Sequence, residues 1–176
     1  QGTGVDSSAT LFARSCVTGG LWIFGKREYH SNIMGEHSYF QIRVSHEPVR
    51  SHLDPVHLLA TFEDSTAQIH AHEMAPGGAL LYDPTLTHPE NLKLPKDVLL
   101  VPLDYAEVLR QVAAETGEPF SKLVIMKNTI SVAASCALLE FDESIIEKAL
   151  AGIFTGRKAK LVPMNMTVAR KAYSFI

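Results

Sequence analysis

The sequence predicts a three-layer α/β/α, Rossmann-like domain built on a mainly parallel or mixed sheet. Three observations lead there. Short apolar runs alternate with segments in which apolar residues recur at helical spacing, the pattern of a sheet with helices on its faces. A glycine turn, Gln1-Gly2-Thr3-Gly4, opens directly into such a helical segment, as strand-to-helix turns do in doubly wound folds. At 176 residues the chain has the size of one domain with its own core.

The first helix is expected to follow the glycine turn, with Val5, Ala9, Phe12, Ala13 and Cys16 on one face. Asp6, Ser7 and Ser8 stand where short polar side chains cap free N–H groups, and Thr18-Gly19-Gly20 ends the helix. Because such a turn normally follows a strand, a further strand upstream of Gln1 is expected. Residues 21–24 read as a short buried strand, followed by a polar connection over 25–37. Residues 38–44 alternate, with Tyr39, Gln41 and Arg43 opposite Phe40, Ile42 and Val44, and so read as a strand. A third apolar run covers 56–62. Residues 64–72 read as a helix stopped by Pro76-Gly77-Gly78, and strands follow at 79–82 and 98–101. Between those strands Pro84, Pro89 and Pro95 forbid a regular helix. Beyond Pro102 the period is helical: 104–116, closed by Gly117; 121–139, nearly all apolar and hence buried; 142–154, capped by Asp142; and 165–175.

Composition narrows the function classes. The apolar share of 46% and charged share of 20% are those of an ordinary globular protein. A net charge of -3 argues against a nucleic-acid footprint, which needs a basic face. No apolar run approaches the ~20 residues of a membrane span, and no signal-peptide pattern is seen at the start. Cys16 and Cys136 read as small buried apolar residues without a C-x-x-C partner. The expected location is the reducing cytoplasm.

Chemistry is concentrated in few places. Backbone N–H groups at Gly2-Thr3-Gly4 suit a phosphate or carboxylate. A dinucleotide fingerprint would need a third glycine where Ser7 stands, although Glu28 follows at a spacing near that of a ribose-binding acid. The alternative is a tight turn without a ligand. The segment from Gly25 to His37 gathers Lys26, Arg27, Tyr29, His30, Ser31, Asn32 and His37 between two strands, where α/β sheets place their sites; the alternative is a solvated connection. His70 and His72 are two apart and point away from each other on a helix, so a metal site is disfavoured. Asn128, on an apolar helix, must find a polar partner and is expected to tie that helix to a neighbouring backbone.

Four stretches together resemble the gamma domain of 2-oxoacid:ferredoxin oxidoreductases, the pyruvate and 2-oxoglutarate ferredoxin oxidoreductase family. They are Gln1 to Val5; Phe24 to Val44, which resembles the type fused ahead of the alpha domain; Leu80-Leu81-Tyr82-Asp83; and Lys127-Asn128 with 141–154 behind it. The chain departs from the family in lacking the strand before the glycine turn and in having Ala134-Ser135 where glycine is common. The resemblance implies a single gamma-type domain over 1–176, a component of an enzyme that converts a 2-oxoacid and coenzyme A to acyl-CoA, carbon dioxide and reduced ferredoxin. It implies that thiamine diphosphate, magnesium and iron–sulfur clusters sit in partner alpha and beta domains or subunits, and that this chain contributes assembly and part of the coenzyme A approach. The site residues expected on that basis are Gly2, Thr3, Gly4, Lys26, Arg27, Ser31 and Asn32, with no catalytic residue in this chain. Two other readings stand beside it: a free-standing Rossmann-like nucleotide-binding domain, and a purely structural interaction domain.

Overall fold

The computed structural model of the chain describes residues 4–29 and 38–176, with Tyr29 described by its backbone alone. The elements run α1 (Val5–Thr18), β1 (Trp22–Tyr29), β2 (Ser38–Ser45), β3 (Val56–Ala60), α2 (Asp64–His70), β4 (Met74–Tyr82), β5 (Leu99–Pro102), α3 (Tyr105–Thr116), α4 (Phe120–Leu123), α5 (Lys127–Leu138), α6 (Glu143–Ile153) and α7 (Val162–Tyr173). Short 3-10 turns occupy Ala71–Glu73, Pro89–Asn91, Val124–Met126 and Gly156–Leu161.

The α/β prediction holds. Strands β3, β4 and β5 form a parallel sheet in that order, and β1 and β2 form an antiparallel ribbon. One face of the parallel sheet, through Leu58, Ala60, Leu81 and Val101, packs into the main core with Leu11, Val108, Leu109, Val112, Ile130, Ile146, Leu150 and Val168 of the helices. The other face places Met74, Leu80 and Tyr82 against Leu59, Leu92, Leu94 and Val98. The proline-bearing connection before β5 therefore covers this face with extended chain.

Three boundaries differ from the sequence reading, each for a physical reason. β1 does not stop at residue 24. It pairs with β2 residue by residue, from Trp22 opposite Ser45 to Tyr29 opposite Ser38, so Gly25, Lys26, Arg27 and Glu28 are strand residues. A two-stranded ribbon tolerates polar side chains because part of its surface is solvated. Pro76, Gly77 and Gly78 lie inside β4. A side chain on Gly78 would press on the carbonyl of His57 at 2.8 Å, so glycine lets the two strands approach where their register shifts. The helix expected over 121–139 is broken at Val124–Met126, where Val124 and Ile125 are exposed instead of packed on the core. Only the part from Thr129 to Cys136 is continuously buried.

Helix contacts give the direction of the bundle. Gly4 packs on Asn128 and Cys16 lies beside Cys136, so α1 and α5 run parallel. Thr129 donates to Asn165 at 2.6 Å, and Tyr173 donates to the Phe141 carbonyl at 3.0 Å, which aligns α7 with them. The N-terminal ends of α1, α5 and α7 thus share one end of the molecule.

Candidate functional site

The first turn of α1 is built unusually. Gly4 is its N-cap, with φ 79°, and no side chain caps the helix. The first intrahelical bond is from the Ser8 N–H to the Gly4 carbonyl, 3.0 Å. The N–H groups of Val5, Asp6 and Ser7 therefore have no acceptor inside the helix, and the positive end of its dipole adds to them. The expected caps do something else, because with Gly4 at the cap position they already lie inside the helix. The Ser8 hydroxyl donates back to the Gly4 carbonyl at 3.2 Å, and Asp6 pairs with Arg27 of β1.

Asn128, at the start of α5, completes the turn. A Cβ on Gly4 would overlap the Asn128 amide nitrogen, so that side chain lies directly against the glycine backbone. Asn128 is half-buried, not fully buried. Next to it Thr129 is buried and bonded to Asn165, whose amide donates to the Leu161 carbonyl at 2.8 Å. The contact expected of Asn128 with a neighbouring backbone takes the form of packing against Gly4, whereas the hydrogen bond from this helix to α7 is made between the side chains of Thr129 and Asn165. Asn128 on its apolar helix was the signal read from the sequence; the Thr129–Asn165 pair was not visible there.

The two expected cations are separated. Successive strand residues face opposite ways, and Arg27 turns to Asp6 on α1 while Lys26 pairs with Glu28 on the other face at 2.6 Å. The Glu28 carboxylate raises the Lys26 pKa above its usual value. The structure therefore brings together Gly4, Asp6, Arg27 and Asn128, and leaves Lys26 outside that group. Gly2, Thr3, Ser31 and Asn32 lie outside the described residues.

Other polar features serve the fold. His70 is buried, its Nδ1 lies 2.9 Å from a Glu73 carboxylate oxygen, and its ring meets Tyr39 edge-on at 4.5 Å. His72 is exposed, so the two histidines do point apart. Among the described residues no three His, Cys, Asp or Glu side chains come together as metal ligands. Asp83, after β4, accepts from the Thr85 N–H at 2.9 Å and its hydroxyl at 2.6 Å. Near it the hydroxyl of Thr87 is buried without a partner among the described residues; burial pushes the Tyr105 phenol up to about 12. A cleft of about 380 Å³ lies against Glu115, Thr167, Arg170, Lys171 and Ser174. Its cations already pair with Glu115, Glu143 and Glu147. No helix among the described residues is long and apolar enough to cross a membrane.

A family model described as pyruvate ferredoxin/flavodoxin oxidoreductase matches residues 1–175. The chain is 30% identical to the 2-oxoacid:ferredoxin oxidoreductase subunit alpha of Saccharolobus solfataricus, over 98% of this chain and 32% of that subunit. It thus spans about a third of the length of the curated relatives it matches. In fold it is similar to 2-oxoglutarate:ferredoxin oxidoreductase of Magnetococcus marinus, solved with 2-oxoglutarate, coenzyme A and succinyl-CoA bound, with a TM-score of 0.81, 19% identity, and coverage of 99% of this chain and 29% of that one. It is also similar to the gamma subunit of a keto/oxoacid ferredoxin oxidoreductase from Geobacter sulfurreducens PCA, with a TM-score of 0.73, 15% identity, and coverage of 99% of this chain and 92% of that subunit.

Proposed function

The chain belongs to the pyruvate ferredoxin/flavodoxin oxidoreductase family, and from that premise we propose that it is the gamma-type component of a 2-oxoacid:ferredoxin oxidoreductase. The reaction is the oxidative decarboxylation of a 2-oxoacid with coenzyme A, giving acyl-CoA, carbon dioxide and reduced ferredoxin. The observation that carries this reading is one of coverage. The same chain aligns with a third of an alpha subunit and in fold with nearly all of a gamma subunit, as a gamma domain fused to an alpha domain would. Thiamine diphosphate, magnesium and iron–sulfur clusters are assigned to partner alpha and beta domains or subunits. Two cysteines cannot supply a cluster that wants four thiolates. The location assigned is the cytoplasm.

Within that enzyme we assign to this chain assembly and part of the coenzyme A approach. The start of α1 supports the second role. Three N–H groups without intrahelical acceptors, the helix dipole and Arg27 converge where a phosphate group would be favoured. The Arg27–Asp6 pair is exposed, so it contributes little to stability and is cheaply exchanged for a phosphate. Gly2, Thr3, Ser31 and Asn32, outside the described residues, are assigned to the same role, and Lys26 adds charge from the other face of the ribbon. The competing role for these cations is pairing with carboxylates of a partner domain. The test is Arg27→Ala and Lys26→Ala, singly, in the reassembled enzyme. Arg27→Ala is expected to raise the KM for coenzyme A about ten-fold, the worth of a charge-assisted contact, and Lys26→Ala less, with the assembly intact. An unchanged constant, or a complex that dissociates, makes this an assembly surface instead.

A further inference from the structure

The apolar character of α5 does not stop where the core stops. From Thr129 to Cys136 the helix is buried at every position. Ahead of it the chain takes the 3-10 turn Val124–Met126, and there Ile125 stands 82% exposed. No other large apolar side chain among the described residues is more than 56% exposed. Val124 beside it is exposed too, whereas Leu123 turns into the core at 1%. The cation just before, Lys122, pairs with Glu118 at 3.3 Å. Single exposed leucines are ordinary on a protein surface. An isoleucine held almost wholly in water, on a turn anchored by buried Leu123 before it and buried Thr129 after it, needs a further reason.

The place of this turn in the molecule limits what can cover it. It leads directly into Asn128, whose amide lies against Gly4. At about 3.8 Å per residue, Ile125 lies within about 11 Å of Asn128, and so beside the first turn of α1. Leu161, also exposed, stands immediately ahead of α7, whose Asn165 bonds Thr129. The three helix starts that share one end of the molecule therefore carry open N–H groups on α1 and exposed apolar side chains on the approaches to α5 and α7.

We propose that Ile125, with Val124 beside it and Leu161 at the start of α7, docks the partner domain that supplies the acyl group. The inference rests on the coenzyme A role assigned above to the start of α1. A coenzyme held there by its phosphates must present its thiol to an acyl group formed in the partner. The domain that forms it must then stand over this end of the molecule. The surface flanking the coenzyme site is thus an interface, and a few apolar side chains near its centre carry most of such a contact. The partner removes from water an apolar group that folding alone leaves there. A convex, fully presented side chain cannot enclose a small ligand, so the occupant is a protein surface.

The experiment uses the whole natural enzyme carrying Ile125→Cys. It is treated with a thiol reagent, and the peptide bearing residue 125 is followed by mass spectrometry. Substitution at so exposed a position leaves the fold intact, and within this chain nothing shields it. Modification is expected to be at least about ten-fold slower in the native enzyme than in urea, because access governs the reaction. In the same enzyme Ile125→Asp is expected to raise the KM for coenzyme A about ten-fold, the loss of one central contact. Decarboxylation of the 2-oxoacid without coenzyme A stays unchanged. Release of the partner, where it is a separate chain, supports the proposal equally. Labelling as fast in the native as in the unfolded enzyme overturns it. So does an Ile125→Asp enzyme with an unchanged constant and an intact assembly. A disulfide between two copies of residue 125 also overturns it, and assigns the turn to self-association. The coenzyme role fails separately: an unchanged constant in Arg27→Ala with residue 125 protected removes that role and leaves the domain contact. Free labelling of residue 125 with a raised constant in Arg27→Ala does the reverse.

Discussion

Gly4 holds a backbone conformation that a side chain would penalise twice. At φ 79° an L-residue loses about 1–2 kcal/mol, and the space its Cβ would need is filled by the Asn128 amide. Gly4→Ala should therefore lower stability by about 2–3 kcal/mol, with overpacking added to the backbone cost, read from the urea midpoint. Adding Asn128→Ala to Gly4→Ala should cost less than the sum of the two single changes, because it removes the overlap. Strictly additive losses would show that the two residues do not meet as described. The sequence identified the glycine as a turn residue and Asn128 as a polar residue in need of a partner. It could not join them, because that contact depends on how two distant helices pack. Arg27 and Asp6 repeat the lesson: each was legible as a charge, but their pairing required β1 to run on past Phe24 and lie beside α1.

At the scale of elements, what was legible is what local chemistry decides. Asp104 and Asp142 were placed at helix starts and do cap them, accepting from the N–H groups of Glu107 at 2.8 Å and Ser144 at 2.9 Å. Gly117 closes α3 with φ 73°. The alternation of 38–44 became β2. The break before α5 was not legible, because an apolar run reads the same whether it is one helix or a short helix, a 3-10 turn and another helix. Cys16 and Cys136 show the packing of α1 on α5. Both are fully buried, and burial is the largest effect raising each thiol from 9.0 to about 12. Neither thiol should react with a disulfide reagent at pH 8 in the folded chain, and both should react once it is unfolded. The same shift sets a pH window. Their contribution to stability is fully present below pH 9.0, where both states hold the proton, and is lost as pH rises toward about 12, because the unfolded chain ionises first. Rapid labelling of either cysteine in the native chain would show that the α1–α5 seam opens.

At the scale of the whole molecule, the resources for catalysis can be counted. Its two thiols are sealed in the core with their pKa values raised, the opposite of the thiolate character that cluster ligation needs. The described carboxylates and histidines do not gather into a metal-binding group; Asp83 is committed to its own turn and His70 to Glu73. What the fold does assemble is positional: parallel helices that bring the starts of α1, α5 and α7 to one end, with Arg27 at that end beside Asp6. On the reading proposed above, this end of the molecule meets an anionic co-substrate, and the chemistry belongs to partner domains. The isolated 176-residue chain should accordingly reduce neither ferredoxin nor a dye acceptor when given a 2-oxoacid, coenzyme A and thiamine diphosphate. Calorimetric titration with thiamine diphosphate and magnesium should give no binding heat. Activity should appear when the partner domains are supplied. Turnover by the purified chain with no partner present would place the chemistry in this domain and overturn its assignment as a component.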